Sequence, residues 1–158
     1  AAVSARIGAM HGVHHARHVE RVEALFAEVS EPGSAREVLE ARLQRSVPVP
    51  GFGHRLHPSG DPRAVELLRR VRALDPASPA LALADAVAAA GEALLGDRPS
   101  VEVGLVALAR SLGLPAGSPL VLWVLGRSVG LIAHAVEQYG SRDVLRPRAR
   151  YTGPMPPG

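Results

Sequence analysis

Residues 51–63 read GFGHRLHPSGDPR and interrupt a chain that is otherwise patterned as helix. With the preceding VPVP, two prolines and two glycines fall within residues 47–53, so a helix cannot continue through this segment. Asp61 followed by Pro62 is typical of an N-cap and a first helical residue, which predicts a new helix there. The glycines on both sides of Phe52 let the backbone approach a ligand closely and place His54 just before that helix. By itself the pattern is more typical of a structural loop with an exposed histidine than of a site.

Outward from this stretch, apolar residues recur at helical spacing in every segment between breaks. Ser34 followed by Glu37 is a capping-box pattern, and Ser78-Pro79 repeats the Asp61-Pro62 device. No strand alternation or solenoid repeat is visible, so we predict an all-α fold. The predicted helices run over about 16–29, 34–45, 61–74, 78–95, 100–113 and 118–138.

The composition limits the classes of protein. The chain has 158 residues, enough for one domain or two thin lobes, and its few aromatic residues predict a core of Leu, Val and Ala. The absence of cysteine excludes disulfides and cysteine-ligated zinc and fits a reducing compartment, with the cytoplasm as default. All 18 basic residues are arginine, but the net charge is only +3, so composition does not imply nucleic-acid binding. Their dispersal along the chain also argues against such a partner.

Two segments are considered as a possible signal peptide and a possible membrane-spanning helix. The N-terminal AAVSARIGAM has no apolar signal core, and we expect it to be a cut edge inside a longer fold. The apolar stretch at 119–136 contains Arg127 and His134, which are costly in lipid. We therefore predict a buried helix with functional polar groups rather than a membrane span.

Arginines in the C-terminal part of the chain are candidate anion-binding residues. A buried Arg127 requires a carboxylate, supplied either by an internal Glu or by an anionic substrate gripped bidentately. Arg146 and Arg148 form a second cationic site, or else a solvated basic tail.

Four histidines cluster near the N-terminus. His11 and His15, like His14 and His18, are four residues apart, a spacing that can chelate a metal on a helix. Gly12 lies inside the cluster, cysteine is absent, and the spacing of a known zinc motif is missing. We therefore predict no metal site and interpret these side chains as solvated histidines near a helix start.

Four stretches in this order resemble the C-terminal half of citrate synthase, with a weaker fifth match at residues 8–29. They are GFGHRLHPSGDPRA, SVEVGLVALARSLGLP, GRSVGLIAHAVEQ and LRPRARYTGP. The resemblance implies a multi-helical all-α fold in which residues 1–29 end a large-domain segment with a histidine loop. Residues 30–116 would form the small, CoA-side domain, and residues 117–158 the C-terminal large-domain helix and tail.

The resemblance also implies a reaction and roles for residues. In the family, acetyl-CoA and oxaloacetate condense to citryl-CoA, which is hydrolysed to citrate, with no cofactor beyond the substrates. His54 would polarise the ketone, while Arg63 and Arg127 would bind the carboxylates. Arg146 resembles the arginine that is lent to the neighbouring subunit's site, which implies a dimer. CoA would lie against Gly51, Phe52 and Gly53.

Two positions depart from the family pattern. Aligned without gaps, the enol-stabilising histidine is His15, but Ala16, Arg17 and Val19 replace the two glycines and the asparagine that follow it. The catalytic base is Glu102, where the family has aspartate. Glutamate has the right group, but its carboxylate lies roughly 1.5 Å farther out.

The sequence therefore leaves several functions open. The chain is expected to be part of a citrate synthase-type acyltransferase, or to pair with a missing N-terminal half, as a homodimer or heteromer. The alternative is a truncated, catalytically impaired paralogue that acts as a binding or regulatory subunit. Condensation with propionyl-CoA to 2-methylcitrate, or citryl-CoA cleavage, would use much the same residues.

Overall fold

The computed structural model describes residues 16–141, which form six α-helices and one 3-10 turn at Pro32–Ser34. Within this range the β-type pairing is confined to an isolated bridge between Phe52 and Pro99. The predicted all-α class is confirmed. The helices are α1 Ala16–Val29, α2 Ala35–Gln44, α3 Pro62–Leu74, α4 Pro79–Leu95, α5 Val101–Ser111 and α6 Ser118–Gly140.

The helix starts follow the proline signals, but the serines behave differently from the prediction. Asp61 caps α3 by accepting a hydrogen bond from the Arg63 amide at 3.0 Å. The capping box at Ser34 is wrong: its hydroxyl donates to the carbonyls of Val29 and Glu31, because a 3-10 turn leads into α2. The Ser78 hydroxyl likewise does not cap α4 and lies 2.9 Å from the Ser111 hydroxyl.

Helix α5 lies at the centre of the fold and packs against α1, α3, α4 and α6. Close approach to α3 depends on Gly104, since a Cβ there would lie 2.8 Å from the Cβ of Leu67. As the composition predicts, the core is built mainly from Val, Leu and Ala, with Phe26 as its one fully buried aromatic side chain among the described residues. The main cluster comprises Val22, Leu25, Phe26, Val29, Ala35, Leu39, Leu83, Ala84, Val87, Ala90, Val103, Val106 and Ala107.

The segment 51–56 is fixed against this core. Gly51 has φ +93°, and a Cβ there would lie 2.9 Å from a methyl of Val103 and 3.2 Å from a methyl of Val22. The Gly51 carbonyl accepts from the Ser100 amide at 2.8 Å, and the Gly53 amide donates to the Arg98 carbonyl at 2.9 Å. These contacts hold the segment between α1 and α5.

The Phe52 ring also anchors this segment, because it packs directly on Gly91 in α4. A Cβ at position 91 would lie 2.0 Å from the ring. We predict that Gly91→Ala destabilises the fold by about 1–3 kcal/mol through overpacking, although alanine is the better helix former. Thermal denaturation measures this change.

Gly126→Ala in α6 is the matched control for this prediction, since nothing lies within 4 Å of a Cβ there. Helix propensity alone acts at that site, and we expect a gain of roughly 0.5–1 kcal/mol. A Gly91→Ala protein as stable as the wild type would contradict the packing argument.

Helix α6 is not the buried helix that the sequence predicts. It is long and apolar enough to cross a membrane by length and composition, with a mean hydropathy of 1.6 in an 18-residue window of which 11% is buried. Among the described residues it packs mainly on α1 and α5, so its other faces are open. Arg127 and His134 remain the argument against a membrane span. The exposed large side chains are Val121, Leu125, Val129, Ile132, Val136 and Tyr139.

Candidate functional site

An open cleft of about 650 Å³ lies where α1, α6 and the first turns of α3 and α5 meet the segment 53–56. It brings together three of the residues predicted for catalysis or oxaloacetate binding, His54, Arg63 and Glu102. These residues are separated by up to 48 positions in the chain and are united only by the fold. The complete lining is His18, Gly53, His54, Arg55, Leu56, Arg63, Ser100, Val101, Glu102 and Trp123.

A buried carboxylate, Asp61, sets the position of Arg63. Asp61 is 1% exposed, and its Oδ1 accepts from the Arg63 amide at 3.0 Å and from Arg63 Nε at 2.9 Å. Its Oδ2 accepts from Arg63 Nη2 at 2.8 Å and from the Val101 amide at 3.0 Å. One carboxylate thus joins the starts of α3 and α5 and fixes one edge of the guanidinium.

The electrostatics of this pair follow from the same contacts. Burial alone would raise the pKa of Asp61, but hydrogen bonds from Arg63 and Val101, with the Arg63 charge, hold that pKa below its usual range. The pKa of Arg63 is raised, chiefly by its hydrogen bond to Asp61, against the effect of burial, with smaller contributions from the Asp61 and Glu102 charges. Both groups are therefore charged at neutral pH.

His54 is aimed at the cleft by contacts on both ring nitrogens. Its Nε2 lies 3.1 Å from Arg63 Nη2, and its Nδ1 lies 3.2 Å from the Leu56 amide, while His57 stacks on the ring at 4.9 Å. Both neighbours are donors, and a neutral imidazole has only one acceptor nitrogen. One of these contacts must therefore yield when His54 donates a hydrogen bond to a ligand.

Glu102 lies in the first turn of α5, and the Ser100 hydroxyl donates a hydrogen bond to its Oε2. Ser100 is 3% exposed and its amide is fixed to the Gly51 carbonyl. The serine therefore holds the longer carboxylate side chain from a rigid position. A charge-assisted hydrogen bond of this kind is stronger than a neutral one.

The other predicted residues are distributed differently. Arg127 is exposed, does not line the cleft, and forms no ion pair with a described residue, so its predicted burial against a carboxylate is wrong. The cause is the open position of α6; Arg127 lies one turn beyond Trp123, which does line the cleft. Of the glycine segment, Gly53 lines the cleft, whereas Gly51 and Phe52 pack against the core.

The proposed enol-stabilising residue His15 and the arginines Arg146 and Arg148 lie outside the described residues, as do His11 and His14. Residues 16–141 contain no group of three or more potential metal ligands. His18, interpreted from the sequence as solvated, is half-buried and lines the cleft.

Sequence reasoning missed the wider role of Asp61 and the roles of Ser100 and His18 in the cleft. The pattern marks Asp61 as a cap, but its contact with Val101, 40 positions away, has no local signal. For Ser100, its position two residues before Glu102 was a signal that its hydroxyl could reach the Glu102 carboxylate. His18 shares a helix face with Val22, which was a signal that it points inward.

Comparison with known proteins gives a consistent family. The C-terminal domain of citrate synthase matches residues 1–148. The chain is 35% identical to the putative citrate synthase 2 of Mycobacterium tuberculosis, covering 99% of this chain and 43% of that protein. It is 31% identical to citrate synthase 2 of Bacillus subtilis, over 96% of this chain and 42% of that protein. A 2-methylcitrate synthase of Mycobacterium tuberculosis is 30% identical, over 96% of this chain and 39% of that protein.

Solved structures have the same fold. The citrate synthase of Thermotoga maritima superposes with a TM-score of 0.76 at 28% identity, covering 96% of this chain and 43% of that one. The citryl-CoA lyase of Hydrogenobacter thermophilus has a TM-score of 0.76 at 24% identity, covering 99% of this chain and 64% of that one. The chain thus spans less than half the length of the curated relatives described here.

Proposed function

Since the chain belongs to the citrate synthase family, we propose that it supplies the C-terminal part of a site that condenses acetyl-CoA with oxaloacetate. The observation that carries this proposal is the shared cleft of His54, Arg63 and Glu102. It unites a hydrogen-bond donor for a ketone, a cation for a carboxylate and a carboxylate base. These are three of the groups that an aldol-type condensation of a thioester requires.

Arg63 is proposed to bind one carboxylate of oxaloacetate. Asp61 occupies its Nε and Nη2, and its Nη1 makes no hydrogen bond to a described residue. A substrate carboxylate would bind at this open edge, beside His54. Arg127 is proposed as the second carboxylate ligand, after α6 is covered by further chain, and Arg146 as a ligand in a neighbouring subunit's site.

In the proposed reaction Glu102 removes a proton from the thioester methyl group. The resulting carbon nucleophile forms a bond to the ketone carbon of oxaloacetate. His54 donates a hydrogen bond to the ketone oxygen, which gains negative charge and then takes a proton from solvent, while Glu102 releases the methyl proton to solvent. Water cleaves the thioester of citryl-CoA to give citrate and CoA. The same groups would serve propionyl-CoA, or citryl-CoA cleavage in the reverse direction.

Ser100 is proposed to hold Glu102 at a productive distance, and Ser100→Ala tests this. We predict that kcat falls about tenfold to a hundredfold, because a hydrogen bond to a charged group contributes about 1.5–3 kcal/mol and each 1.4 kcal/mol changes a rate about tenfold. Ser100→Thr should retain most of the rate. Ser128→Ala, whose hydroxyl bonds a carbonyl outside the cleft, is the control. Equal rates for Ser100→Ala and the wild type would refute the role.

The reaction itself is tested by following CoA release from acetyl-CoA and oxaloacetate. The chain is assayed alone and mixed with the segment of Bacillus subtilis citrate synthase 2 that precedes the matched region. Activity in either case supports the proposal, and activity only in the mixture supports a split enzyme. Activity in neither favours a binding or regulatory subunit, which the replacements at Ala16, Arg17, Val19 and Glu102 motivate. Propionyl-CoA and citryl-CoA in place of acetyl-CoA identify the acyl substrate.

The larger assembly is also proposed. We assign residues 1–29 and 117–158 to a large domain and 30–116 to a small one. A hydrogen bond of 3.1 Å from the Gly117 amide to Glu23, which ties α1 to the start of α6, supports the division. A dimer or a heteromer would cover the apolar side of α6. We propose a cytoplasmic protein without nucleic-acid, membrane or metal partners.

A further inference from the structure

His57 has no assigned role, although its ring lies against the ring of His54. The two ring centroids are 4.9 Å apart and the ring planes differ by 29°, which is a stacked arrangement. His57 is half-buried but does not line the cleft. Its ring nitrogens make no hydrogen bond with another described residue, so its side chain acts through the stack.

The backbone holds His57 in this position. The His57 amide donates to the His54 carbonyl at 3.0 Å, and the Gly60 amide donates to the His57 carbonyl at 3.0 Å. These two turns pack against Arg98, because a Cβ at Gly60 would lie 2.8 Å from the Arg98 Cδ. Before the turns, the Gly53 amide donates to the Arg98 carbonyl at 2.9 Å. Arg98 therefore anchors the segment at both ends, and a fixed backbone brings the two imidazoles together.

The His54 ring needs this support because its hydrogen bonds alone do not fix it. Arg63 Nη2 at Nε2 and the Leu56 amide at Nδ1 are both donors, and a neutral imidazole accepts from only one of them. When His54 donates to the ketone oxygen, the other contact is given up as well. A single remaining hydrogen bond leaves the ring free to turn about it, whereas a second ring against its face keeps its plane in place.

We propose that His57 is a positioning residue for the condensation, which stacks on His54 and keeps the His54 N–H aligned with the ketone oxygen. This inference rests on the proposed function. The ketone oxygen gains charge in the transition state, so alignment of His54 contributes more there than to substrate binding, which is assigned to Arg63. Loss of the stack should therefore lower kcat rather than raise the KM for oxaloacetate.

The kinetic test compares His57→Ala, which removes the stacked ring, with His57→Phe, which restores a ring without nitrogens. In an active assembly we expect His57→Ala to lower kcat about threefold to tenfold, the contribution of an aromatic pair expressed as a rate, with little change in KM. His57→Phe should recover most of the rate. His134→Ala, at an exposed histidine outside the cleft, is the control. Equal kcat values for His57→Ala and the wild type, or no recovery in His57→Phe, would overturn the inference.

A readout that needs no activity separates this inference from the proposed function. The chain is labelled with ¹⁵N-histidine, and the two ring-nitrogen signals of His54, identified by their loss in His54→Gln, are followed by NMR at mildly alkaline pH. Distinct signals in the wild type that move toward their average in His57→Ala, and separate again in His57→Phe, support the inference. Unchanged His54 signals in His57→Ala would show that the stack does not hold the ring.

The two arms together distinguish the possible failures. If the His54 signals respond as expected but no assembly releases CoA, the proposed function fails, and the catalytic part of the inference fails with it. If an assembly is active and neither the signals nor kcat respond to His57→Ala, the proposed function stands and the role of His57 is refuted.

Discussion

Glu102→Gln is expected to lower the condensation rate by about 10²- to 10⁴-fold, the usual contribution of a positioned general base. Glutamine has nearly the same shape and still accepts a hydrogen bond from the Ser100 hydroxyl, but it cannot take the proton of the thioester methyl group. The change therefore removes the chemistry and leaves the packing. The measurement is kcat for CoA release in the active assembly. Glu92→Gln, on the exposed surface of α4, is the matched control and should leave kcat unchanged.

The shorter acid provides a second version of this test. In Glu102→Asp the carboxylate retracts by roughly 1.5 Å. Ser100 positions the longer side chain here. We therefore expect kcat of Glu102→Asp to be about a hundredfold below that of the wild type, the cost of misplacing a catalytic group on the order of 1 Å. A rate that is unchanged in both variants would remove Glu102 from the mechanism.

Asp61→Ala is expected to destabilise the chain by about 2–4 kcal/mol. The change removes the α3 cap, which costs about 1 kcal/mol. It also leaves the Val101 amide as an unsatisfied buried donor, which costs about 1–3 kcal/mol. Arg63 contributes little to this sum because it is half-exposed. Chemical denaturation followed by circular dichroism measures the difference.

Asp85→Ala is the control for this prediction. Asp85 also accepts from an arginine, Arg72, but the pair is exposed, and we expect a loss of about 0–1 kcal/mol. Equal losses in the two variants would show that burial of Asp61 has no special effect. In an active assembly, Asp61→Ala should also raise the KM for oxaloacetate, because Arg63 loses the group that orients it.

The pH dependence follows from the depressed pKa of Asp61. A carboxyl whose pKa is lower in the folded chain than in the unfolded chain stabilises the fold above its unfolded pKa. That contribution falls away as the pH drops through the folded pKa, below the ordinary range for aspartate. Asp61→Asn should therefore lose less stability between neutral and strongly acidic pH than the wild type.

The sequence predicted the helices well because proline, glycine and apolar spacing act locally. The starts of α3 and α4 at Pro62 and Pro79 are examples. Side-chain partners were less predictable: the Ser34 hydroxyl could have capped α2, but in the fold it donates to the carbonyls of Val29 and Glu31. The burial of Arg127 failed for a similar reason, because it depends on what packs against α6.

The candidate site shows the same contrast between residues that the sequence indicates and contacts that depend on the fold. The family resemblance selected His54, Arg63 and Glu102, which line one cleft. Neither spacing nor resemblance indicated that Asp61 joins Arg63 to α5. That contact requires the packing of α3 on α5, which allows the buried carboxylate to reach the Val101 amide.

The central claim is that Arg63 and His54 hold one dicarboxylate, and a crystal structure of the chain with oxaloacetate tests it most directly. We predict that one carboxylate binds at the open edge of Arg63, with the keto oxygen about 3 Å from a ring nitrogen of His54. Oxaloacetate bound outside this cleft, or absent from it at saturating concentration, would contradict the claim.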